Sequence, residues 1–332
     1  MDKIGVNIVV IGGGTGSFTL LSALKNYTRH VTALVNMADD GGSTGQLRDE
    51  LGVLPAGDVR QCLVALSESP RTRDLFNYRF AEGTFAGHAF GNIFMAALEK
   101  MTGNFAEAVE EASRVLNIIG RVEPVTLDEV TLVLTSGDGS VTRGEFQIGH
   151  MDFGSRKRPT ISLDPLPKLN PRAAAAIERA DIVVVAPGNL YGSLAPALVV
   201  PGMSEALRST SAKRVYVANL VTKPGQTDGF TVSDFADEVE RFGRFKLDYV
   251  LYNTAKPDKK LLAKYAKEGE LPVEYDLKRL KQQHFKAKGG EFLSNEFVAF
   301  NSGKVDPIAS TRTLIRHDAD AIARALMKLY FS

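Results

Sequence analysis

The residue types most able to do chemistry sit in two early loops. Gly12-Gly13-Gly14-Thr15-Gly16 follows the apolar run Ile4 to Ile11 and opens a stretch of helical spacing carried by Leu20, Leu21 and Leu24. Glycines let a backbone approach a ligand closely, and the free N–H groups at a helix start point at an anion, so this loop is a candidate phosphate cradle. The second loop runs from Asn36 to Gly45 and holds Asp39 and Asp40 side by side. Two such carboxylates could hold Mg²⁺ or orient an attacking hydroxyl. Gly42 and Ser43 could shape a second anion nest. Adjacent aspartates before glycines also suit a plain turn.

Further polar residues extend the set. Arg48 comes next, then Asp58 and Arg60. Asp58 reads either as a helix N-cap or as part of a charged pocket with Asp39 and Asp40. His88 and Asn92 are four apart on a predicted apolar helix, Gly87 to Met101, so they would share one face and need either structural partners or a ligand. Two familiar chemistries fit poorly. A dinucleotide fingerprint would need glycine where Ser17 stands, and an acidic residue where Asn36 ends the second strand. No Gly-Lys-Ser/Thr follows the loop, which removes the P-loop. His30, His88, His150, His284 and His317 are scattered, so no His/Cys metal cluster is expected, and no Gly-x-Ser-x-Gly elbow suggests a hydrolase.

The elements that must position these loops follow a βα rhythm. Strands are predicted at Ile4 to Ile11, His30 to Val35, Asp181 to Ala186, Arg214 to Ala218 and Leu247 to Tyr252, with helices between them such as Asp58 to Leu66, Phe105 to Leu116, Pro171 to Ala180 and, last, His317 to Tyr330. That order predicts an α/β fold, a Rossmann-like parallel sheet with helices on both faces. Glu129 to Ile148 alternates around Gly137-Asp138-Gly139 and reads as a β-hairpin, the centre of an insertion at about 121–165 in one domain spanning 1–332. Lys278 to Gly290 lacks periodicity and reads as a surface loop. Five polar or glycine-rich loops each follow a predicted strand: Gly12 to Gly16, Asn36 to Gly45, Pro187 to Ser193, Asn219 to Gly229, and Asn253 onward. In a parallel sheet these share the edge where ligands bind.

Composition narrows the class. The chain has 332 residues, 44% apolar and 24% charged, as in an average globular protein, which argues against disorder. Net charge is +1, so a dedicated nucleic-acid binder is not expected. One cysteine, Cys62, allows no intrachain disulfide and reads as a small core residue. Neither a signal peptide nor a membrane span is expected, and the expected location is the cytoplasm.

Several long motifs together resemble one family. They are Gly12 to Gly16, Ala38 to Arg48, Gly57-Asp58-Val59-Arg60, Gly87 to Asn92, Pro187 to Tyr191 and Asn219 to Phe230. They resemble the YvcK-type gluconeogenesis factors, which share the CofD-like fold of 2-phospho-L-lactate transferase. The resemblance implies a Rossmann-like core and a cytoplasmic regulatory protein that binds a UDP-sugar or other nucleotide, linked to cell-wall precursor metabolism and cell shape. It also implies an alternative, a Mg²⁺-dependent transferase acting on a nucleotide-linked donor. By similarity Gly12, Gly13, Gly14, Thr15 and Gly16, with Gly188, Asn189, Tyr191 and Ser193, would hold the nucleotide. Asp39 and Asp40 would match the acidic, metal-linked site of the transferases. Asn219, Thr222 and Arg316 would add later contacts. The chain departs from the family pattern at Ala56, Asn189 and Gly192, where proline, serine and threonine are expected, and in a longer basic segment at Lys278 to Lys288. The apolar stretch Phe90 to Leu98 would serve equally in a core or in a homodimer.

Overall fold

Strand β1 (Ile8–Gly12) is buried along its whole length, as is the strand β7 (Ile182–Val185) beside it, because both lie in the middle of a sheet covered on two faces. The computed structural model describes residues 5–154, 158–267, 269–294 and 315–332. On one side of β1 the chain adds β2 (Val31–Val35) and β3 (Arg121–Pro124). On the other side of β7 it adds β8 (Lys213–Val217), β9 (Tyr249–Asn253) and β10 (Lys286–Gly290). The sheet order is β10-β9-β8-β7-β1-β2-β3, and every pairing in it is parallel. The strand order therefore reverses between β1 and β7, which is where a parallel α/β sheet opens a crevice.

Helices cover this sheet and fill the links. In chain order they are α1 (Gly14–Leu24), α2 (Gly42–Leu51), α3 (Gly57–Leu66), α4 (Pro70–Asn77), α5 (Phe90–Thr102), α6 (Phe105–Val115), α7 (Glu145–Gly149), α8 (Pro171–Glu178), α9 (Ala195–Leu198), α10 (Met203–Ser209), α11 (Val232–Gly243), α12 (Lys259–Lys267), α13 (Leu277–Gln282) and α14 (Ala319–Tyr330). α1 buries Leu20, Leu21 and Leu24, the spacing expected of it. α11 opens on a reciprocal capping box between Thr231 and Asp234. No helix among the described residues is long and apolar enough to cross a membrane.

Three segments differ from the sequence reading. The helix expected from Gly87 begins only at Phe90, because residues 78–89 fold back on themselves: Phe80 N–H donates to the His88 carbonyl and Phe90 N–H to that of Tyr78. His88 therefore lies ahead of the helix and shares no helical face with Asn92. The loop Asn36 to Gly45 becomes helical at Gly42, in a glycine- and hydroxyl-rich stretch whose poor helix propensity hid it. Lys278 to Gly290 is not a loop. It forms α13, capped by Asp276, and the edge strand β10, whose lysines and glycines carry no apolar signal and which is held by pairing to β9.

The expected hairpin around Gly137-Asp138-Gly139 is present as β4 (Thr131–Thr135) and β5 (Val141–Arg143), paired antiparallel. It is shorter than its alternation suggested, since the chain turns into α7, and β6 (Thr160–Asp164) closes the other side of β4 to give a separate three-stranded sheet. Arg121–Pro124 belongs to the large sheet, so this smaller sheet begins at Thr131. Leu134 of β4 is fully buried. Leu134→Ala is expected to cost about 2–5 kcal/mol in urea unfolding, whereas a cost below about 1 kcal/mol would mean the small sheet is not packed onto the core.

Candidate functional site

Because the large sheet is parallel, the loops after β1, β2, β7, β8 and β9 all leave from one edge, as the sequence order implied. Those after β1 and β7 touch at the reversal of strand order. A side chain at Gly16 would place its Cβ 1.7 Å from the Pro187 carbonyl oxygen, so only glycine permits the approach. At Gly13, the cap residue of α1, a Cβ would lie 2.0 Å from Asp58 Oδ2. The glycine loop thus faces a carboxylate of its own chain. The amide of Gly14 donates a hydrogen bond to Asp58, which lies in the first turn of α3.

Asp58 belongs to an acidic group that also includes Asp39, Asp40 and Glu145. Burial pushes the Asp58 carboxyl up to about 7, with the charge of Asp39 adding to the shift and the Gly14 amide and Arg60 opposing it. Glu145 is likewise pushed up to about 7, by burial and then by the charges of Asp39, Asp58 and Asp40, against the pull of Lys223. Asp39 is raised above the usual carboxylate range, mainly by burial, although the Gly41 amide, Arg48 and Thr44 favour its charged form.

Asp40 does something different. Its two oxygens accept from the backbone N–H groups of Glu145, at 3.1 Å, and Phe146, at 2.7 Å, the first residues of α7. It ties the loop after β2 to the small sheet. Both carboxyl oxygens are engaged, and among the described residues no three His, Cys, Asp or Glu side chains stand together in a way that could hold a metal ion. The described residues therefore form no all-protein cage for a resident Mg²⁺.

Most other candidates from the sequence hold the loops in place. Asn36 donates to the Gly192 carbonyl at 3.3 Å and accepts from the Ala38 amide, linking the loops after β2 and β7 where a dinucleotide fold would carry an acid. Asn219 pairs with both the N–H and the carbonyl of Gly188, linking the loops after β7 and β8. Asn189 caps the π-helical turn 190–194 by accepting from Gly192 N–H. Asn92 accepts from buried Arg60 and donates to Ser43 and Thr44, so it joins α5, α3 and α2. Ser193 and Gly42 stay partly or fully exposed at their loops, while Arg48 pairs with Asp49 and faces Asp39.

The other candidates, Tyr191, Thr222, His88 and Arg316, have the following surroundings. The Tyr191 ring is 1% exposed and packs edge-on against Phe153 and Phe242, inside the core. Thr222 is fastened to Leu271 through its hydroxyl and its amide. His88 has a buried Nδ1 with no hydrogen-bond partner among the described residues. Arg316 lies in the short segment that bridges Leu293 to His317. His317 beside it sets Nε2 3.1 Å from the Ala218 carbonyl at the end of β8, and burial holds its imidazole neutral, down at about 4.

The sequence reading missed Glu145 and Lys223. A Cβ at Gly192 would meet Glu145 Oε1 at 2.5 Å, so α7 delivers a carboxylate directly beside the loop after β7, against the position where threonine is expected. Nothing local marks Glu145, since its neighbours are distant in sequence, Asp39, Asp40 and Asp58 upstream and Gly192 and Lys223 downstream. Lys223 sits in the quoted motif Asn219 to Phe230, and burial lowers its ammonium against the pull of Glu145 and Glu270.

Two outcomes follow. Asp40→Ala should cost about 1–3 kcal/mol and speed amide exchange at Glu145 and Phe146. Asp58 and Glu145 are raised in the folded state, so the fold binds their protons more tightly than the unfolded chain does. Their protonated forms favour folding fully below about pH 4, and this contribution is lost as pH rises toward 7. Asp58→Asn should therefore gain stability relative to the parent between pH 4.5 and 7.5 in urea titrations, and an unchanged difference across that range would contradict the assignment.

Comparison with known proteins agrees with this architecture. Residues 8–293 match the CofD family, described as 2-phospho-L-lactate transferase. A Thermotoga maritima relative is 41% identical over 98% of this chain and 99% of its own. The Bacillus subtilis gluconeogenesis factor is 37% identical, with 97% of each chain covered. A crystal structure of a UPF0052-family protein from Bacillus halodurans superposes with a TM-score of 0.87 at 36% identity, covering 98% of this chain and 99% of that one. The chain therefore belongs to the CofD-like family, among its gluconeogenesis factors.

Proposed function

We propose that the protein is a nucleotide-sugar-binding regulator of the gluconeogenesis-factor type, and that the crevice between β1 and β7 holds a UDP-sugar without turning it over. One observation carries this reading: two glycine-bearing turns, Gly13 to Gly16 and Pro187 to Ser193, meet at the reversal of strand order, where backbone N–H groups can face a phosphate. The acidic group beside them supports the sugar half. Carboxylates accept hydrogen bonds from hydroxyls, so Asp39 and Glu145 suit a polyhydroxyl ring better than a second phosphate. Because Asp58 already occupies the Gly14 amide, a phosphate enters that nest only when Asp58 is protonated or turned aside. By family resemblance the regulated process is cell-wall precursor supply, in the cytoplasm.

The transferase reading has one observation in its favour. Asp58 and Glu145, both pushed up to about 7, are poised for general acid–base work. Incubation with a nucleotide-linked phospholactyl donor and a flavin-like acceptor separates the two: product by mass supports transfer, and binding without product supports the regulator.

Calorimetry with UDP-N-acetylglucosamine and UDP-glucose tests the first reading. Saturable binding of either is expected, weakened at least tenfold by Gly13→Val, whose side chain would collide with Asp58 and close the nest. No binding at millimolar ligand, or unchanged affinity in a folded Gly13→Val protein, would overturn it.

A further inference from the structure

A second cavity lies at the opposite edge of the large sheet, where the strands begin. It measures about 970 Å³, and none of the crevice residues lines it. Its floor is the sheet itself. Thr32 pairs in register with Val9 on one side and Arg121 on the other, so these three share one face. α8 borders that face with Ala175 and Ala176, and small side chains there leave the space unfilled. Gly120 fixes the start of β3 hard against β2, since a Cβ there would lie 2.2 Å from the Val31 carbonyl oxygen, and this sets Arg121 next to Arg29 and His30.

The lining is strongly basic. Arg29, Arg121, Arg172 and Arg179, all exposed, line the cavity with His30, against Glu110 and Glu123. Arg172 lies 3.7 Å from Glu110, too far for a hydrogen bond. Glu123 is 8% exposed at the floor, between Arg172 and Arg121. Arg29 and Arg179 make no side-chain hydrogen bond or ion pair with any described residue, although the chain as a whole carries a net charge of only +1. Guanidinium groups gathered this way repel one another, and a bound polyanion removes the repulsion while accepting forked hydrogen bonds.

We propose that this cavity is a second binding site, for a small organic anion carrying at least two phosphate charges. The guanidiniums take the phosphates, and the carbon skeleton lies along the face that Val9 and Thr32 share with Arg121. An occupant rests on the starts of β1 and β2, the same strands whose far ends carry the crevice loops, so the site suits an effector. The proposal does not depend on what the crevice binds.

The test uses inorganic pyrophosphate and the full chain at low ionic strength. Amide exchange in the parent protein locates the site directly: protection is expected at residues 29–32 and 120–123. Calorimetry should then show the binding weakened at least tenfold in Arg121→Ala/Arg179→Ala, with an unchanged melting temperature in the absence of ligand. Arg179→Lys, which keeps the charge but loses the fork, should fall between. No protection at those segments, or protection and affinity that survive the double substitution, would overturn the proposal.

Discussion

The contact between Gly16 and Pro187 is the constraint on which the rest of the site depends. Two strands adjacent in the sheet but separated by about 170 residues end side by side, and the turns leaving them can touch only because Gly16 carries no side chain at the point of contact. That approach sets the start of α1 beside the loop that carries the π-helical turn 190–194. The asparagines then lock the arrangement. Asn36 and Asn219 each reach from a neighbouring loop to a backbone group on the loop after β7, so four loops behave as one rigid rim.

Electrostatics gives this rim its character. Four carboxylates gather within it, each of three facing one cation: Arg48 by Asp39, Lys223 by Glu145 and buried Arg60 by Asp58. Burial takes Asp39, Asp58 and Glu145 out of water, and their like charges add to that cost, so all three hold protons more tightly. Asp40 instead accepts from two amides at the start of α7, and in doing so it anchors the small sheet that brings Glu145 in. The acidic character and the docking of the insertion are therefore one structural fact.

Much of this was legible in the sequence. The βα order, the glycine loop, and the sorting of five polar loops onto one edge all follow from local pattern, because buried parallel strands announce themselves as apolar runs and their ends as glycines. Most of the motifs quoted for the family resemblance lie on these loops, but many of their residues serve differently from their first reading. Asn36, Asn92, Asn189 and Asn219 look like ligand groups in sequence and turn out to be bonded to backbone or side chains of other loops. Tyr191 looked like a loop contact, yet its ring is core. Glu145 could not be seen at all, since its place depends on how the insertion docks. β10 was hidden for a related reason: an edge strand of lysine and glycine is made by its partner strand and not by its own residues.

The central claim is that the crevice at the β1–β7 reversal holds the phosphate and sugar of a nucleotide-sugar. Crystallography of the protein with saturating UDP-N-acetylglucosamine tests it most directly. The account predicts density for the diphosphate bounded by Gly13 to Gly16 and Asn189 to Ser193, with the sugar hydroxyls against Asp39 and Glu145 and Asp58 displaced from the Gly14 amide. Density for the nucleotide elsewhere, or a crevice left unchanged with Asp58 still on Gly14 at saturation, would contradict it.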